Sequence, residues 1–349
     1  MFKILSLRAQ GMERDSQICW EAQNELDGGI SLSEAMATLC QVHVFSGFIP
    51  KGADAIRFEQ RSDHSVQICP PRGGRNVPKK EGVPVVVKPK PSKPICPLCL
   101  DVKKDKWPDQ LGVKFQLGGK EFFVAANPGP IYEGHTVISP TVHESAVMDI
   151  ASLCALAQKT PDRWSVQNGP DAGVTINHLH FQSFKADNDL FAIRKVGVKK
   201  TWEKQVSDQP MTIEKFEAPY SSYRIRVKSM TPEIVEALVA LQDDFLGLDS
   251  TNRLTYAITY NQEQGEYEIF FTPRNSDKKT TIDHLGLIGY PQPLGCMVSE
   301  EGSEKHWDSA KFQKFLRDIE MPGMAARFEE EVFCKRSFSL EEVVSLVEA

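Results

Sequence analysis

The residues best able to do chemistry gather in one short stretch, Asn177-His178-Leu179-His180-Phe181-Gln182-Ser183-Phe184. Its alternation predicts a strand with His178, His180 and Gln182 on one face and Leu179, Phe181 and Ser183 on the other. A single histidine there would read as a solvent-facing residue on a half-buried strand. Two of the chain's eight histidines, at i and i+2 beside a glutamine, weigh towards chemistry. An imidazole with a reference pKa of about 6.5 is largely unprotonated near neutral pH, and His180 in that form could attack phosphorus to give a covalent phosphoramidate-type intermediate. Gln182, on the same face, can donate an amide N–H to a phosphoryl oxygen. Backbone N–H groups around Gly173, where no side chain blocks close approach, could line the same oxygens. Thr175 either reaches in from the start of the strand or is an ordinary strand-stabilising threonine.

The second constellation is Cys96-Pro97-Leu98-Cys99. This spacing lets two thiolates take adjacent corners of a zinc tetrahedron. The sequence has no second Cys-x-x-Cys, so histidines must complete the set, and His143 and His178 are the best candidates. A closed site of this type would be structural, tying the knuckle to the strand that bears His180. A redox pair or two unrelated thiols are the competing readings, although no thioredoxin-like pattern surrounds the pair. The eight cysteines are scattered, and the first ten residues are too short and too soon charged for a secretory signal, so the thiols are expected to be reduced and the chain cytoplasmic.

The elements that must position these residues read as follows. The chain has 349 residues, 25% charged and 41% hydrophobic, with a net charge of −6. That balance is ordinary for a globular chain and gives no general nucleic-acid footprint. No apolar run reaches the roughly 18 residues of a membrane span. Ser31 to Cys40 predicts a helix. Residues 52–69 predict strand and turn. Pro70 to Pro97 is rich in proline, glycine and lysine and reads first as a solvated loop, with the alternative that it brings Arg72 or Arg75 onto phosphates. Val113–Leu117, Glu121–Ala126 and His135–Ser139 read as strands, the first two joined by Gly118-Gly119. Glu144 to Lys159 predicts a helix with Val147, Ile150, Leu153, Cys154 and Leu156 inward. Leu190 to Val198 predicts another strand. Thr231-Pro232 opens a helix reaching about Leu246, and strands Leu254–Tyr260 and Tyr267–Thr272 follow around a turn at 261–265. Helix followed by strands therefore occurs twice, which suggests a pseudo-duplication whose second copy lacks His-x-His. Ser339 to Glu342 is read as a capping box opening a last helix.

The run Ala172 to Gln182 resembles the active-site strand of the histidine-triad superfamily. Its final glutamine points to the transferase branch that holds galactose-1-phosphate uridylyltransferase, diadenosine tetraphosphate phosphorylase and GDP-L-galactose phosphorylase. His-Leu-His-Phe-Gln is most similar to the last group. Asn127-Pro128 through Gly134-His135 to His143 is similar to the preceding block of that superfamily, and Cys96-x-x-Cys99 to the zinc knuckle of many members. Together the three blocks span about residues 95–185.

The resemblance implies an α+β fold of antiparallel sheets with flanking helices, pseudo-duplicated into a catalytic half (1–200) and a degenerate half (201–349) with a helical tail. It implies a nucleotidyltransferase or phosphorylase acting on a nucleoside diphosphate-sugar or a dinucleoside polyphosphate. By position, His180 would be the nucleophile and Gln182 would bind its phosphate. Asn127 would contact ribose or phosphate, and Asn168, Gly173 and Thr175 would line the pocket. Cys96, Cys99, His143 and His178 would hold structural zinc. The expected partners are a nucleotide substrate and inorganic or sugar phosphate, with no nucleic acid and no membrane; relatives are often dimers, so a homodimer is among the expectations. Two alternatives stand beside this reading: a nucleotide pyrophosphate hydrolase of the same fold, and a non-catalytic zinc-stapled nucleotide-binding protein.

Overall fold

The structure, a computed structural model, describes residues 14, 17–40, 57–60, 64–68, 96, 98, 112–127, 130–170, 176–185, 190–217, 220–275, 289–299, 308–319, 326–333 and 341–343. In chain order these form α1 (Leu32–Leu39), β1 (Arg57–Gln60), β2 (Ser65–Ile68), β3 (Gly112–Leu117), β4 (Lys120–Ala126), β5 (Thr136–Pro140), α2 (Ile150–Lys159), β6 (Arg163–Asn168) and β7 (Phe181–Lys185). There follow β8 (Val198–Val206), β9 (Gln209–Phe216), β10 (Tyr223–Val227), α3 (Pro232–Leu248), β11 (Asn252–Asn261), β12 (Glu266–Asn275), β13 (Cys296–Ser299), α4 (Ser309–Ile319) and β14 (Glu341–Val343).

The local signals act as expected where the chemistry is local. Ser31 caps α1 and Glu34 closes the box, with Glu34 N–H donating to Ser31 Oγ and Ser31 N–H to Glu34 Oε2. Gly118 and Gly119 both take positive φ, +56° and +80°, as a two-residue hairpin between twisted strands requires. Thr231 caps α3, and Pro232 occupies its first turn.

The main sheet has eleven strands among the described residues, in the order β14-β8-β9-β10-β12-β11-β6-β7-β5-β4-β3, and every pairing in it is antiparallel. The fold is thus α+β, a large antiparallel sheet with flanking helices. Strands from the two parts of the chain meet at β6 and β11, where Asn168 pairs with Thr255 and Val166 with Ala257. A smaller sheet orders β1-β2-β13. At one edge of the main sheet the Gln23 amide stands in for a further strand, accepting from Lys114 N–H at 2.8 Å and donating to Lys114 carbonyl at 3.2 Å.

The two faces of the sheet enter two apolar clusters. Helices α2 and α3 pack on each other and cover one face, where Leu179 and Phe181 are buried with Leu153, Leu156, Ile258 and Phe271. On the other face Phe184 lies among Trp164, Tyr132, Phe191 and Tyr290. Phe181 and Phe184 are wholly buried, each burial worth about 1.5–3 kcal/mol. Together they hold β7 from both sides, with Gln182 between them.

Four expectations are corrected. The strand bearing Gln182 begins at Phe181, not Asn177; residues 176–178 form a bend. Helix α2 begins at Ile150, and 143–149 is irregular, because its backbone is used elsewhere: Glu144 carbonyl accepts from Leu179 N–H, and Ala146 N–H donates to Asn177 Oδ1. Val147 is accordingly 54% exposed rather than inward. Ala192–Lys195 is a 3₁₀ turn instead of strand, which lets Leu190, Phe191 and Ile193 all enter one cluster, something two-residue alternation forbids. Glu341–Val343 is strand β14, paired with Thr201–Glu203 of β8, where the open sheet edge supplies backbone partners that a last helix would not use. The basic loop 70–94 lies outside the described residues.

Candidate active site

Strand β7 lies between β5 and β6, with Gln182 paired to Val137 on one side and Val166 on the other. Residues directly opposite each other share a face, so Gln182 sits with Val137 and Val166, and His135 joins them two residues before Val137. His180 precedes the strand. Its Nδ1 lies 2.8 Å from the His178 carbonyl. A carbonyl can only accept, so Nδ1 carries the proton and Nε2 keeps its lone pair. Burial pushes the His180 pKa below its ordinary value, partly opposed by the bond to the His178 carbonyl. The ring is therefore neutral near pH 7.

His178 is fully buried and belongs to a separate cluster. Its Nδ1 is 3.1 Å from Cys96 Sγ, and its ring meets that of His143 edge-on at 4.8 Å. Ligand atoms of Cys96, His143 and His178 all lie within 4.8 Å of one another and could hold a metal ion. Tetrahedral zinc with bonds of about 2.0–2.3 Å separates its ligands by roughly 3.5 Å, and one thiolate with two imidazoles is a donor set that suits it. Cys99, three residues beyond Cys96, lies outside the described residues, as do Gly173, Thr175, Arg72 and Arg75.

Gln182 is half-buried, and its Oε1 is 2.8 Å from His135 Nε2. Asn127 reaches the same nitrogen, its Nδ2 at 3.1 Å. Asn127 and Gln182 are thus brought together through an imidazole absent from the sequence-derived site. Asn168 lies on the Gln182 face, two residues past Val166, and its Oδ1 accepts from Tyr290 N–H at 2.8 Å. That bond pins the segment before β13 over the sheet.

Arg163, also unsuspected from the sequence, braces this arrangement from the helix side. Its Nε donates to Ser183 Oγ at 3.0 Å and its Nη2 donates to the Gly134 carbonyl. One guanidinium therefore grips the residue after Gln182 and the residue before His135. Gly134 turns there at φ +65°. Burial lowers the Arg163 pKa from its ordinary value, opposed chiefly by Cys40. Replacing Arg163 with methionine leaves the Gly134 carbonyl short of this donor. It is expected to cost about 1–3 kcal/mol, read as a lower urea midpoint at constant slope. An unshifted midpoint would show that the bonds contribute nothing.

Arg163 precedes an apolar strand and carries no signal in the sequence, whereas His135 lies in the Gly134-His135 block of the resemblance but is given no role there. Only the pairing of β5, β6 and β7 makes them neighbours of Gln182.

Comparison with known proteins places these features in context. A family described as a domain of unknown function (DUF4922) matches residues 91–185, the stretch that carries Cys96, Asn127, His135, His143, His178, His180 and Gln182. No curated protein matches. Among solved structures the chain is similar to yeast Ap4A phosphorylase Apa2 in complex with AMP, at 14% identity and a TM-score of 0.47, covering 76% of this chain and 88% of that one. It is similar to an ADP-glucose phosphorylase from Arabidopsis thaliana with bound ADP-glucose, at 13% identity and a TM-score of 0.37, covering 76% and 99%. It is also similar to a uridylyltransferase, at 11% identity and a TM-score of 0.36, covering 67% and 93%.

Proposed function

We propose that the protein is a nucleotidyltransferase of the phosphorylase type, acting on a nucleoside diphosphate-sugar or a dinucleoside polyphosphate. The observation that carries this reading is the His180 Nδ1–H bond to the His178 carbonyl, which leaves the Nε2 lone pair for attack. In the first step Nε2 forms an N–P bond to the α-phosphorus, and the bond from phosphorus to the leaving oxygen breaks, releasing a sugar phosphate or nucleotide. The proton on Nδ1 stays in place, and the positive charge gained by the ring is shared with the His178 carbonyl. In the second step an oxygen of inorganic phosphate, or of a sugar phosphate, attacks the same phosphorus. The N–P bond breaks and neutral His180 returns. The Gln182 amide donates to the phosphoryl oxygens throughout, where fixed donors lower the barrier most.

Asn127 and Asn168 are assigned to the same pocket as binding groups, as are Gly173, Thr175, Arg72 and Arg75. Zinc held by Cys96, Cys99, His143 and His178 would supply rigidity rather than chemistry, fixing the backbone whose carbonyl orients His180.

The test is incubation with a panel of α-³²P-labelled nucleotide sugars and dinucleoside polyphosphates, with and without phosphate. The expected result is an acid-labile, base-stable protein adduct that phosphate discharges as a nucleoside diphosphate. Release of nucleoside monophosphate at equal rates with and without phosphate would instead identify a hydrolase. Tight binding with no adduct would identify a binding protein.

A further inference from the structure

His135 is 3% exposed, on β5's approach, and Ile131, Gln182 and Asn127 each bring a polar group to its ring. Ile131 N–H points at Nδ1 at 3.0 Å. A backbone N–H can only donate, so Nδ1 is the unprotonated nitrogen and Nε2 must carry the ring proton. This fixes the contact on the other side: Nε2–H donates to Gln182 Oε1 at 2.8 Å. The amide of Gln182 has one acceptor end and one donor end, and the acceptor end is taken. Its NH₂ is therefore the end left for a ligand.

The same proton decides the neighbour. Asn127 Nδ2 is placed 3.1 Å from Nε2. An N–H facing an NH₂ sets donor against donor, and the two ends of an amide are alike in shape, so Asn127 meets the ring through Oδ1. Its NH₂ also turns away from the imidazole. One buried tautomer thus orders two amides 55 residues apart in sequence, from Asn127 to Gln182, and gives both the same sense.

We propose that His135 is a positioning residue: its Nε2–H tautomer, imposed by Ile131 N–H, holds the Gln182 amide with its donor end forward, so that this amide offers a donor to a phosphoryl oxygen. The inference deepens the phosphoryl-transfer reading and rests on it for its kinetic consequence, but the tautomer itself is independent of any activity.

Two measurements test it together. The first is ¹⁵N NMR of the intact protein labelled at histidine, which reports which ring nitrogen of His135 is protonated. Nε2–H is expected, and Nδ1–H would overturn the proposal whatever the enzyme does. The second is a double-mutant cycle on phosphorolysis with His135→Phe and Gln182→Ala. Each single change is expected to lower kcat/KM, by about 10- to 100-fold for His135→Phe and about 100-fold or more for Gln182→Ala. The double variant should lose clearly less than the product of the two single losses, because much of the effect of His135 passes through that amide and only the remainder through Asn127. Fully additive losses, or wild-type turnover by His135→Phe, would overturn the proposal. His135→Gln, which restores one N–H donor, should recover part of the loss, whereas a purely packing role would favour the phenylalanine. If the wild-type protein forms no nucleotide adduct, the transferase reading fails while the NMR result still decides the tautomer.

Discussion

Replacing His180 with alanine is expected to abolish the labelled nucleotide adduct and to lower phosphorolysis by about 10⁴-fold or more. The size of the effect follows from the role: a nucleophile cannot be replaced by a neighbour that only binds. Among the described residues His178 is the other imidazole on this segment, and it is buried against Cys96 and His143. His180 is half-buried and outside both apolar clusters, so the substitution should leave the unfolding temperature within a few degrees of wild type. Substrate should still bind with near-normal affinity, because Gln182 and Asn127 remain in place. The measurements are adduct counting after acid quench, steady-state phosphorolysis and nucleotide binding by calorimetry. Wild-type turnover by His180→Ala would remove the covalent mechanism, and equal losses of binding and turnover would make His180 a binding residue.

The second large effect is expected on metal removal. Metal analysis of the purified protein should find one zinc per chain. Chelation, or Cys96→Ser or His178→Ala, should release it and lower the unfolding temperature by about 5 °C, which for a chain of this size corresponds to roughly 3–5 kcal/mol. The loss is smaller than in a zinc finger because both apolar clusters survive without the metal. The more telling consequence is kinetic. His178 is at once a candidate ligand and the residue whose carbonyl receives His180 Nδ1–H. Freeing its side chain lets that carbonyl wander, and adduct formation should fall by about 10- to 100-fold even at temperatures where the protein stays folded. A protein that carries no zinc, or one whose adduct rate ignores the chelator, would count against this coupling.

Much of this arrangement is legible in the chain because it depends on near neighbours. The Ser31–Glu34 box, the Gly118-Gly119 turn and the Thr231-Pro232 helix start are each settled by contacts three or fewer residues apart. The candidate roles proposed for His178, His180 and Gln182 are likewise drawn from residue type and spacing, as is the Cys96-x-x-Cys99 spacing. The α+β class is what the resemblance of the Ala172–Gln182 run implies, and alternation and apolar stripes mark its individual strands and helices.

Tertiary pairing decided the rest. His135 and Gln182 are 47 residues apart, and only the register of β5 on β7 puts an imidazole proton against that amide. Arg163 became a brace because β6 lies on the far side of β7. Residues 144–149 gave up their helical pattern because the backbone before β7 had partners to offer them, and the box at Ser339–Glu342 lost Glu341 to a sheet edge for the same cause. A residue's own preference for helix or strand is worth tenths of a kcal/mol up to about one, less than a buried backbone group loses when it is left without a partner. Wherever a distant strand could supply that partner, the distant strand won.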